Sequence, residues 1–279
     1  MKILIMGASG TIGSAIYERL AKQYEVYGTY NKHQPLHMRK ESIYQYDIAN
    51  RERLNQILKE VRPDWVVSSL TGNHEHQLAA HECIADYLQE SKGRCIFLST
   101  ANVFDGEVAG AHIESDTPYP ISAYGRFKYS CEQMLQIRLG NRLLIARLPR
   151  TLSSEDAMNE IQASQKGEPV FSNLYISYNT ATHVASAICS CIETERHGIW
   201  HLTSDDCISM AEWTKQIFRK KNICFDYTTD DLTVESYCRL LGCEQPDVLR
   251  HGNDQIFCLA LKSMHKEYRI TCEEVLAAL

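Results

Sequence analysis

The sequence lacks long apolar runs and any concentration of basic residues. None of its hydrophobic stretches approaches the roughly 20 residues that cross a bilayer, so no membrane segment is predicted. The formal net charge is -6 at pH 7, and the basic residues are scattered along the chain. Nucleic-acid-binding proteins usually carry a basic patch or stripe. The sequence therefore predicts a protein that binds neither a membrane nor nucleic acid.

Paired cysteines are also missing, although cysteine itself is abundant. The chain has 279 residues and 11 cysteines, an odd number, with no Cys-x-x-Cys spacing. A chain of this length does not need disulfides to stabilise its core, so we expect reduced, mostly buried thiols. The first predicted strand starts at Lys2, so no cleavable signal peptide is expected either. Both points predict a cytoplasmic protein.

A single group of residues has the composition of a metal site. It consists of His74, His76, His81 and Cys83. Zinc ligands usually come as two well-spaced pairs in a structural context, which this group lacks. A solvated loop that enters a helix explains the group better, and no metal is predicted.

A glycine-rich turn joins the first strand to the first helix. An apolar run, Lys2–Met6, leads into Gly-Ala-Ser-Gly-Thr-Ile-Gly, and a helical pattern follows from Ser14. Here Gly7 allows the tight turn, Gly10 lets the backbone approach a pyrophosphate, and Gly13 lets the helix lie close to the strand. The helix N-terminus adds free N–H groups for phosphates. An ordinary glycine-rich turn is the alternative, but the position favours a dinucleotide site at Gly7, Ser9, Gly10, Thr11, Ile12 and Gly13.

Strand-like and helix-like segments alternate through the first half of the chain. The predicted strands are Lys2–Met6, Glu25–Tyr30, Trp65–Ser69, Cys95–Ser99 and Leu143–Leu148. The predicted helices between them are Ser14–Lys22, Arg51–Glu60, His76–Gln89 and Ala123–Arg138. This alternation predicts an α/β fold with a doubly wound parallel sheet.

The pattern changes after Arg150. Residues 151–173 are polar and mixed, whereas a strand is predicted at 198–202 and helices at 183–193, 209–220 and 261–279. We expect residues 1–150, joined by 177–204, to form the nucleotide-binding domain. Residues 151–176 and 205–279 would then form a smaller C-terminal α/β lobe that binds substrate.

The end of the second strand has no carboxylate. NAD sites usually have an acid there, about 20 residues after the glycines, which binds the adenosine 2′-hydroxyl. This chain has Asn31 and Lys32, which could accept a 2′-phosphate. The sequence therefore predicts NADP(H) as the preferred cofactor, with NAD(H) possible. Further along, Asp47 beside Ile48 could bind the adenine amino group or cap the helix that starts near Asn50, and both interpretations stay open.

Tyr124 and Lys128 are four residues apart at the start of a predicted helix, so they share one face. A free tyrosine titrates near pH 10, and a neighbouring ammonium group would favour its phenolate form. The pair follows the fourth predicted strand, where ligands of an open parallel sheet gather. Thr100 lies at the end of that strand, and its hydroxyl could bond a carbonyl oxygen or close a turn.

These motifs resemble those of the extended short-chain dehydrogenase/reductases, above all the dTDP-4-dehydrorhamnose reductase family. The matching segments are Gly7–Gly13, Arg62–Val67, Ser99–Gly106, Glu114–Pro118 and Tyr124–Glu132, and the likeness loosens after Arg150. The resemblance implies a Rossmann-type sheet and an NADPH-dependent reduction of a keto group on a dTDP-type deoxysugar. Such an enzyme could be a homodimer.

The same resemblance implies roles for individual residues. Thr100 would orient the keto oxygen, Tyr124 would protonate it, and Lys128 would hold the nicotinamide ribose and lower the pKa of Tyr124. A further group would line the cofactor cleft, namely Ser68, Ser69 and Leu70.

The chain departs from this family at positions expected to contact substrate. Ala101 and Asn102 replace the usual Asp-Tyr, and the segment after Arg150 lacks an aromatic-glycine ending. Arg147 or Arg150 could pair with a diphosphate or serve as a structural ion-pair partner. Two alternatives to the reductase remain: an epimerase or dehydratase with tightly held NAD, and a non-catalytic NADP-binding regulatory subunit.

Overall fold

The central sheet has the strand order of a doubly wound nucleotide-binding fold. A computed structural model describes residues 1–36, 38–224, 227–243, 248–251 and 256–279. Its strands are β1 Lys2–Met6, β2 Glu25–Tyr30, β3 Ile43–Gln45, β4 Trp65–Ser68, β5 Arg94–Thr100, β6 Leu143–Leu148, β7 Arg150–Leu152, β8 Val170–Phe171, β9 Leu174–Ile176, β10 Tyr178–Thr180, β11 Gly198–His201, β12 Ile208–Ser209, β13 Thr229–Asp230 and β14 Phe257–Leu259. Its helices are α1 Thr11–Leu20, α2 Arg51–Val61, α3 His74–Ser91, α4 Ala123–Leu139, α5 Ser154–Gln165, α6 Ala181–Glu193, α7 Met210–Lys220, α8 Val234–Leu240 and α9 Cys272–Ala278.

Seven strands form the main sheet in the order β3-β2-β1-β4-β5-β6-β11. The pairs β3–β2, β2–β1, β1–β4 and β4–β5 are parallel. The strand order reverses between β1 and β4, and ligands of such sheets bind at the carboxyl ends of the strands beside that reversal. The predicted fold class is confirmed, and β1, β2 and β6 have the predicted bounds.

The helices on this sheet form where their apolar residues share one face. In α2, the buried residues Leu54, Ile57, Leu58 and Val61 recur at helical spacing. The side chain of Asn50 accepts a hydrogen bond from the N–H of Arg53 and so caps the helix. Helix α2 packs beside α3, and α1 packs beside α6.

The chain divides into two compact units. The first comprises Met1–Ser99, Phe127–Ala146 and Ala181–Trp200, and the second comprises Thr100–Arg126, Arg147–Thr180 and His201–Leu279. Several ranges that we expected in the first domain belong to the second unit, namely 100–126, 147–150, 177–180 and 201–204. Val108, Ile121 and Tyr178 of these ranges lie in the hydrophobic core of the second unit. The assignment of cofactor to one domain and substrate to the other stays a prediction.

In the second half, one segment without a predicted element is helical, and one predicted helix is wrong. Residues 154–165, in the stretch described as polar and mixed, form α5, which Ser153 and Asp156 start with a reciprocal capping box. The long helix predicted at 261–279 is limited to α9 and a short 3-10 turn, Lys266–Tyr268. The preceding backbone bonds other segments instead, since Lys262 donates to the carbonyl of His112 and Ile270 accepts from Asp205.

The cysteines are free thiols, and eight of the 11 are buried, as expected. Among the described residues, no helix is both long and apolar enough to cross a membrane.

Candidate active site

The glycine turn after β1 is fixed by contacts from two neighbouring strands. Gly7 has a φ of +81°, a conformation that L-residues with a side chain rarely adopt. Its N–H donates to Oγ1 of Thr29 in β2 at 2.9 Å. Just after β4, the Ser69 hydroxyl donates to the carbonyls of Met6 and Gly7, at 2.9 and 3.2 Å. These bonds hold the turn in place without filling the space in front of α1.

Gly13 allows α1 to lie against the turn. A Cβ at this position would come within 2.2 Å of the Gly7 carbonyl oxygen. At Gly10 a Cβ would meet only that same oxygen, at 3.6 Å, so packing does not require glycine there. Gly10 is the cap residue of α1 and offers no side-chain hydrogen bond. Ser9 and Thr11 are exposed and Ile12 is half-buried, so the helix N-terminus can receive an anionic group.

Residues expected to meet the adenosine follow β2 and β3. Asn31 and Lys32 come directly after β2, and both are exposed. Asp47 is exposed beside the half-buried Ile48. The structure decides one open alternative, because Asn50 caps α2 whereas the Asp47 carboxylate accepts from the N–H of Ala49 at 3.0 Å. Asp47 therefore does not cap the helix.

The three residues predicted to line a cofactor cleft after β4 differ in accessibility. Ser69 and Leu70 are half-buried. Ser68 is buried, and its hydroxyl lies 2.8 Å from Nε2 of His81. Burial lowers the pKa of His81 to about 3, so this imidazole is neutral. The Ser68 side chain therefore belongs to the interior, and so does His81 of the metal-like group.

Lys128 has its ammonium group inside the first unit. Its Nζ donates to the carbonyl of Leu98 at 2.6 Å and lies 4.5 Å from the ring centroid of Phe97. Burial lowers the pKa of Lys128 to about 8, while Cys131 and Glu132 act in the opposite direction. The charged form of Lys128 is therefore stabilised by the Leu98 carbonyl, the face of the Phe97 ring and the Glu132 carboxylate.

Glu132 is the buried acid beside this lysine. It is 2 % exposed, and its Oε1 accepts from the Ser99 hydroxyl at 2.5 Å. Since Glu132 follows Lys128 by four residues on α4, the two side chains share one helix face. Glu132 was not identified from the sequence as the carboxylate beside Lys128. The spacing of four residues from Tyr124 to Lys128 and from Lys128 to Glu132 was a signal for it, because residues at this spacing share one helix face.

Thr100 and Tyr124 meet within the second unit. The two side chains are hydrogen-bonded, and burial raises the pKa of the Tyr124 phenol above its ordinary value. Tyr124 still has 43 % of its surface exposed, which leaves the ring accessible to a ligand. The predicted lowering of this pKa by Lys128 is therefore not found: burial raises the pKa of Tyr124, and the hydrogen bond with Thr100 acts in the opposite direction.

A buried carboxylate starts the helix that carries Tyr124. Asp105 accepts from the N–H groups of Ile121 and Ser122, at 2.7 and 3.2 Å, and from the Ser122 hydroxyl. Ser122 in turn accepts from the N–H of Gly125 at 2.8 Å, which satisfies the first turn of α4. Burial raises the pKa of Asp105, although these hydrogen bonds oppose the rise.

A cavity of about 350 Å³ opens beside Thr100 in the second unit. Its polar lining, among the described residues, comes from Thr100, Asn102 and Arg150. The rest is apolar or aromatic and includes Leu148, Pro149, Phe171, Leu174, Met210 and Leu240. The volume and the few polar groups are typical of a small-molecule site.

The two arginines that were candidates for a diphosphate have different surroundings. Arg147 is 1 % exposed, with its guanidinium over the Phe104 ring and 3.5 Å from Nε2 of His201. Arg150 lines the cavity and pairs with Glu160 at 2.5 Å. Arg147 is therefore structural, and Arg150 is the arginine that an anionic ligand in the cavity could reach.

A family model and two related proteins match most of this chain. The model of the family described as the RmlD substrate binding domain matches residues 1–229. A probable low-salt glycan biosynthesis reductase of Haloferax volcanii is 24% identical over 240 residues, which cover 78% of this chain and 79% of that protein. A dTDP-4-dehydrorhamnose reductase of Aggregatibacter actinomycetemcomitans is 24% identical over 246 residues, which cover 78% of each.

Solved structures share the fold. A hypothetical dTDP-4-dehydrorhamnose reductase from Sulfolobus tokodaii has a TM-score of 0.78 and 23% identity, with 98% of this chain and 99% of that chain covered. A dTDP-4-dehydrorhamnose reductase from Bacillus anthracis, in complex with NADP, has a TM-score of 0.68 and 22% identity, with coverage of 82% and 84%. A UDP-glucose 4-epimerase from Thermotoga maritima has a TM-score of 0.77 at 15% identity, with coverage of 100% and 97%.

Proposed function

Because this chain belongs to the family of the RmlD substrate binding domain, we propose that it reduces a keto group on a nucleotide-linked deoxysugar, with NADPH as the hydride donor. The broader class is a nicotinamide-dependent oxidoreductase. The observation that carries the proposal is the accessible Tyr124 phenol, hydrogen-bonded to Thr100 at the rim of a ligand-sized cavity.

The glycine turn fits the phosphates of a dinucleotide. The cap residue Gly10 leaves the helix N-terminus without a side-chain bond, and α1 has no acidic residue in its first turn. Both features favour an anion at this end of the helix. Lys32, exposed after β2, adds a cation for a 2′-phosphate, so we expect NADP(H) to be preferred and NAD(H) to be possible.

The reaction needs a proton donor and a group that orients the keto oxygen. When bound, the nicotinamide supplies hydride to the carbonyl carbon. Tyr124 gives its phenolic proton to the carbonyl oxygen, and the raised pKa of this phenol keeps it protonated at neutral pH. Thr100 orients the oxygen, while Lys128 is the residue that would hold the nicotinamide ribose.

The cavity favours a deoxysugar linked to a diphosphate. Its apolar lining suits a ring with fewer hydroxyl groups, because each unpaired buried hydroxyl would cost free energy. Arg150 provides a cation for the diphosphate, and Glu160 holds its guanidinium in place.

The test uses purified protein, NADPH and a dTDP-4-keto-deoxysugar, with loss of NADPH absorbance as the readout. We expect turnover in the native chain and a loss of at least about a hundredfold in Tyr124→Phe, which removes the proton donor. Tyr129→Phe, on the same helix, is the matched control and should keep its activity. Absence of turnover on every 4-keto nucleotide sugar would reject the proposed substrate class.

Two other outcomes would favour the alternatives. NAD carried through purification, with no consumption of NADPH, would indicate an epimerase or dehydratase. Unchanged biological activity in Tyr124→Phe would indicate an NADP-binding regulatory subunit.

A further inference from the structure

Thr100 makes two hydrogen bonds with Asn102. The Asn102 backbone N–H donates to Thr100 Oγ1 at 3.2 Å, as in an ordinary cap of the short helix Ala101–Phe104. The Thr100 hydroxyl also donates to Oδ1 of the Asn102 side chain at 3.0 Å. Capping explains the first bond but does not require the second. A threonine hydroxyl has one hydrogen, and here Asn102 takes it.

The orientation of the Asn102 amide is set by Asp105. This carboxylate is fully buried; two backbone N–H groups donate to its Oδ1 and the Ser122 hydroxyl donates to its Oδ2, so both of its oxygens act as acceptors. The Asn102 side chain is also hydrogen-bonded to Asp105. Its NH₂ group must therefore face the carboxylate, and its carbonyl oxygen must face Thr100.

Close packing brings Tyr124 to this chain of bonds. Gly125 follows Tyr124, and a Cβ there would come within 2.2 Å of the backbone carbonyl oxygen of Asn102 and 3.0 Å of Asp105 Oδ2. Glycine thus lets the first turn of α4 lie directly against Asn102. Tyr124 is hydrogen-bonded to Thr100 from this position.

We propose that Asn102 is a positioning residue that takes the Thr100 proton and so makes Thr100 the acceptor of the Tyr124 phenolic hydrogen. Bond direction then runs from Tyr124 to Thr100 to Asn102, and Asn102 donates to Asp105. The part of this proposal that concerns catalysis rests on the proposed function. The directions of the hydrogen bonds do not depend on it, because they follow from the contacts alone.

The order keeps Tyr124 in its acid form until substrate arrives. A hydrogen bond donated by Thr100 would favour the phenolate and lower the pKa of Tyr124. Asn102 prevents this donation in the resting protein. When substrate binds, the Thr100 hydrogen can turn from Asn102 to the keto oxygen, and the phenolic hydrogen of Tyr124 is then released from Thr100 for transfer to that same oxygen. The titratable or charged groups of the second unit that face this step are Asp105, which bonds Asn102, and Arg150 and Tyr237, which line the same cavity.

The first experiment measures the titration of Tyr124 without any substrate. Tyrosine labelled at Cζ is followed by NMR, and the Tyr124 signal is assigned by its loss in Tyr124→Phe. In Asn102→Ala the Thr100 hydroxyl is free to donate, so we expect the pKa of Tyr124 to fall by about one unit, a tenfold change in protonation. The control Asn141→Ala, on an exposed turn, should leave it unchanged.

A double-mutant cycle separates positioning from a general structural effect. In a Thr100→Val background there is no hydroxyl to turn, and Asn102→Ala should no longer shift the titration. An equal shift in both backgrounds, or no shift in the single variant, would overturn the proposal. If Asn102→Ala does not fold, Asn102→Leu keeps the side-chain volume and carries the same expectation.

Activity gives an independent readout. Reduction needs the protonated phenol, so it is lost as pH rises through the pKa of Tyr124. In Asn102→Ala this alkaline loss should begin about one pH unit lower. If the native chain shows no turnover but the NMR shift occurs, the proposed function fails and the role of Asn102 stands. If the native chain reduces the substrate but Asn102→Ala does not shift the titration of Tyr124, the proposed function stands and the role of Asn102 fails.

Discussion

Replacing Glu132 by glutamine should make the stability of the protein depend on pH in a new way. Glu132 lies four residues after Lys128 on α4, is almost fully buried, and accepts from Ser99 at 2.5 Å. The substitution keeps the shape and the hydrogen-bond acceptor but removes the charge that favours the Lys128 ammonium. We expect the buried lysine in the variant to lose its proton at neutral pH rather than remain charged.

The magnitude follows from the pKa of Lys128, which burial lowers to about 8. This value is below that of a free lysine, so unfolding takes up a proton between the two, and the free energy of unfolding rises with pH there. Relative to a native state in which Lys128 stays neutral, the bound proton lowers the free energy of the native state by about 1.4 kcal/mol at pH 7 and by about 0.1 kcal/mol at pH 9, whereas the unfolded state is the same in both proteins. A variant with neutral Lys128 loses both amounts. Glu132→Gln should therefore be more destabilising at pH 7 than at pH 9, by about 1.3 kcal/mol.

Urea unfolding at both pH values measures this difference. Glu90→Gln, at an exposed position of α3, is the control and should change stability by less than about 0.5 kcal/mol at either pH. In a Lys128→Met background the pH dependence caused by Glu132→Gln should disappear. An equal loss of stability at pH 7 and pH 9 would refute the coupling between Glu132 and Lys128.

Three further predictions concern the cofactor turn and the cavity. Gly13→Ala places a Cβ 2.2 Å from the Gly7 carbonyl, so we expect about 1–3 kcal/mol of destabilisation by urea unfolding, and at least tenfold weaker NADPH binding by titration. Lys32→Glu removes a cation and restores an acid after β2, so the ratio of NADPH to NADH affinity should fall at least tenfold. Arg150→Ala should raise KM for a nucleotide sugar with little change in melting temperature, whereas Arg147→Ala should lower the melting temperature because it removes a buried cation from its partners.

Each of these has an outcome that contradicts it. Gly10→Ala is the control for the turn, because packing leaves room for its Cβ: it should keep native stability, and a stability loss equal to that of Gly13→Ala would contradict the packing argument. Tighter NADH than NADPH binding in the native chain would contradict the role of Lys32. An unchanged KM in Arg150→Ala would remove Arg150 from the substrate site.

The predictions from sequence were best where local pattern and packing agree. Strands β1, β2 and β6 were predicted to the residue, because β1 and β6 are mostly apolar and buried and β2 is rich in the β-branched and aromatic residues that favour strands. The glycine pattern predicted that Gly7 allows a tight turn and that Gly13 lets the helix lie close to the strand. In the structure Gly7 has a positive φ, and a Cβ at Gly13 would clash with the Gly7 carbonyl oxygen. The pattern failed at 261–279, where backbone bonds to distant segments replace a helix that the local sequence allows.

The candidate site was only partly predictable. Thr100, Tyr124 and Lys128 stood out by position, but what surrounds them did not. The burial of Ser68 against His81, and of Lys128 beside Glu132, depends on which helix packs on which strand. Likewise, Asn102 was a departure from a family pattern in the sequence and became a partner of Thr100 only in three dimensions.

The sequence by itself determined the α/β fold, the glycine turn and the residue types that chemistry requires, since these depend on periodicity and short spacing. Only the tertiary structure decided which charges are buried, which arginine faces the cavity, and where the Thr100 hydrogen points. Those properties depend on contacts between residues distant in the chain, as between Arg147 and His201. No local pattern encodes such contacts, because solvation and hydrogen-bond direction are set only when the chain is packed.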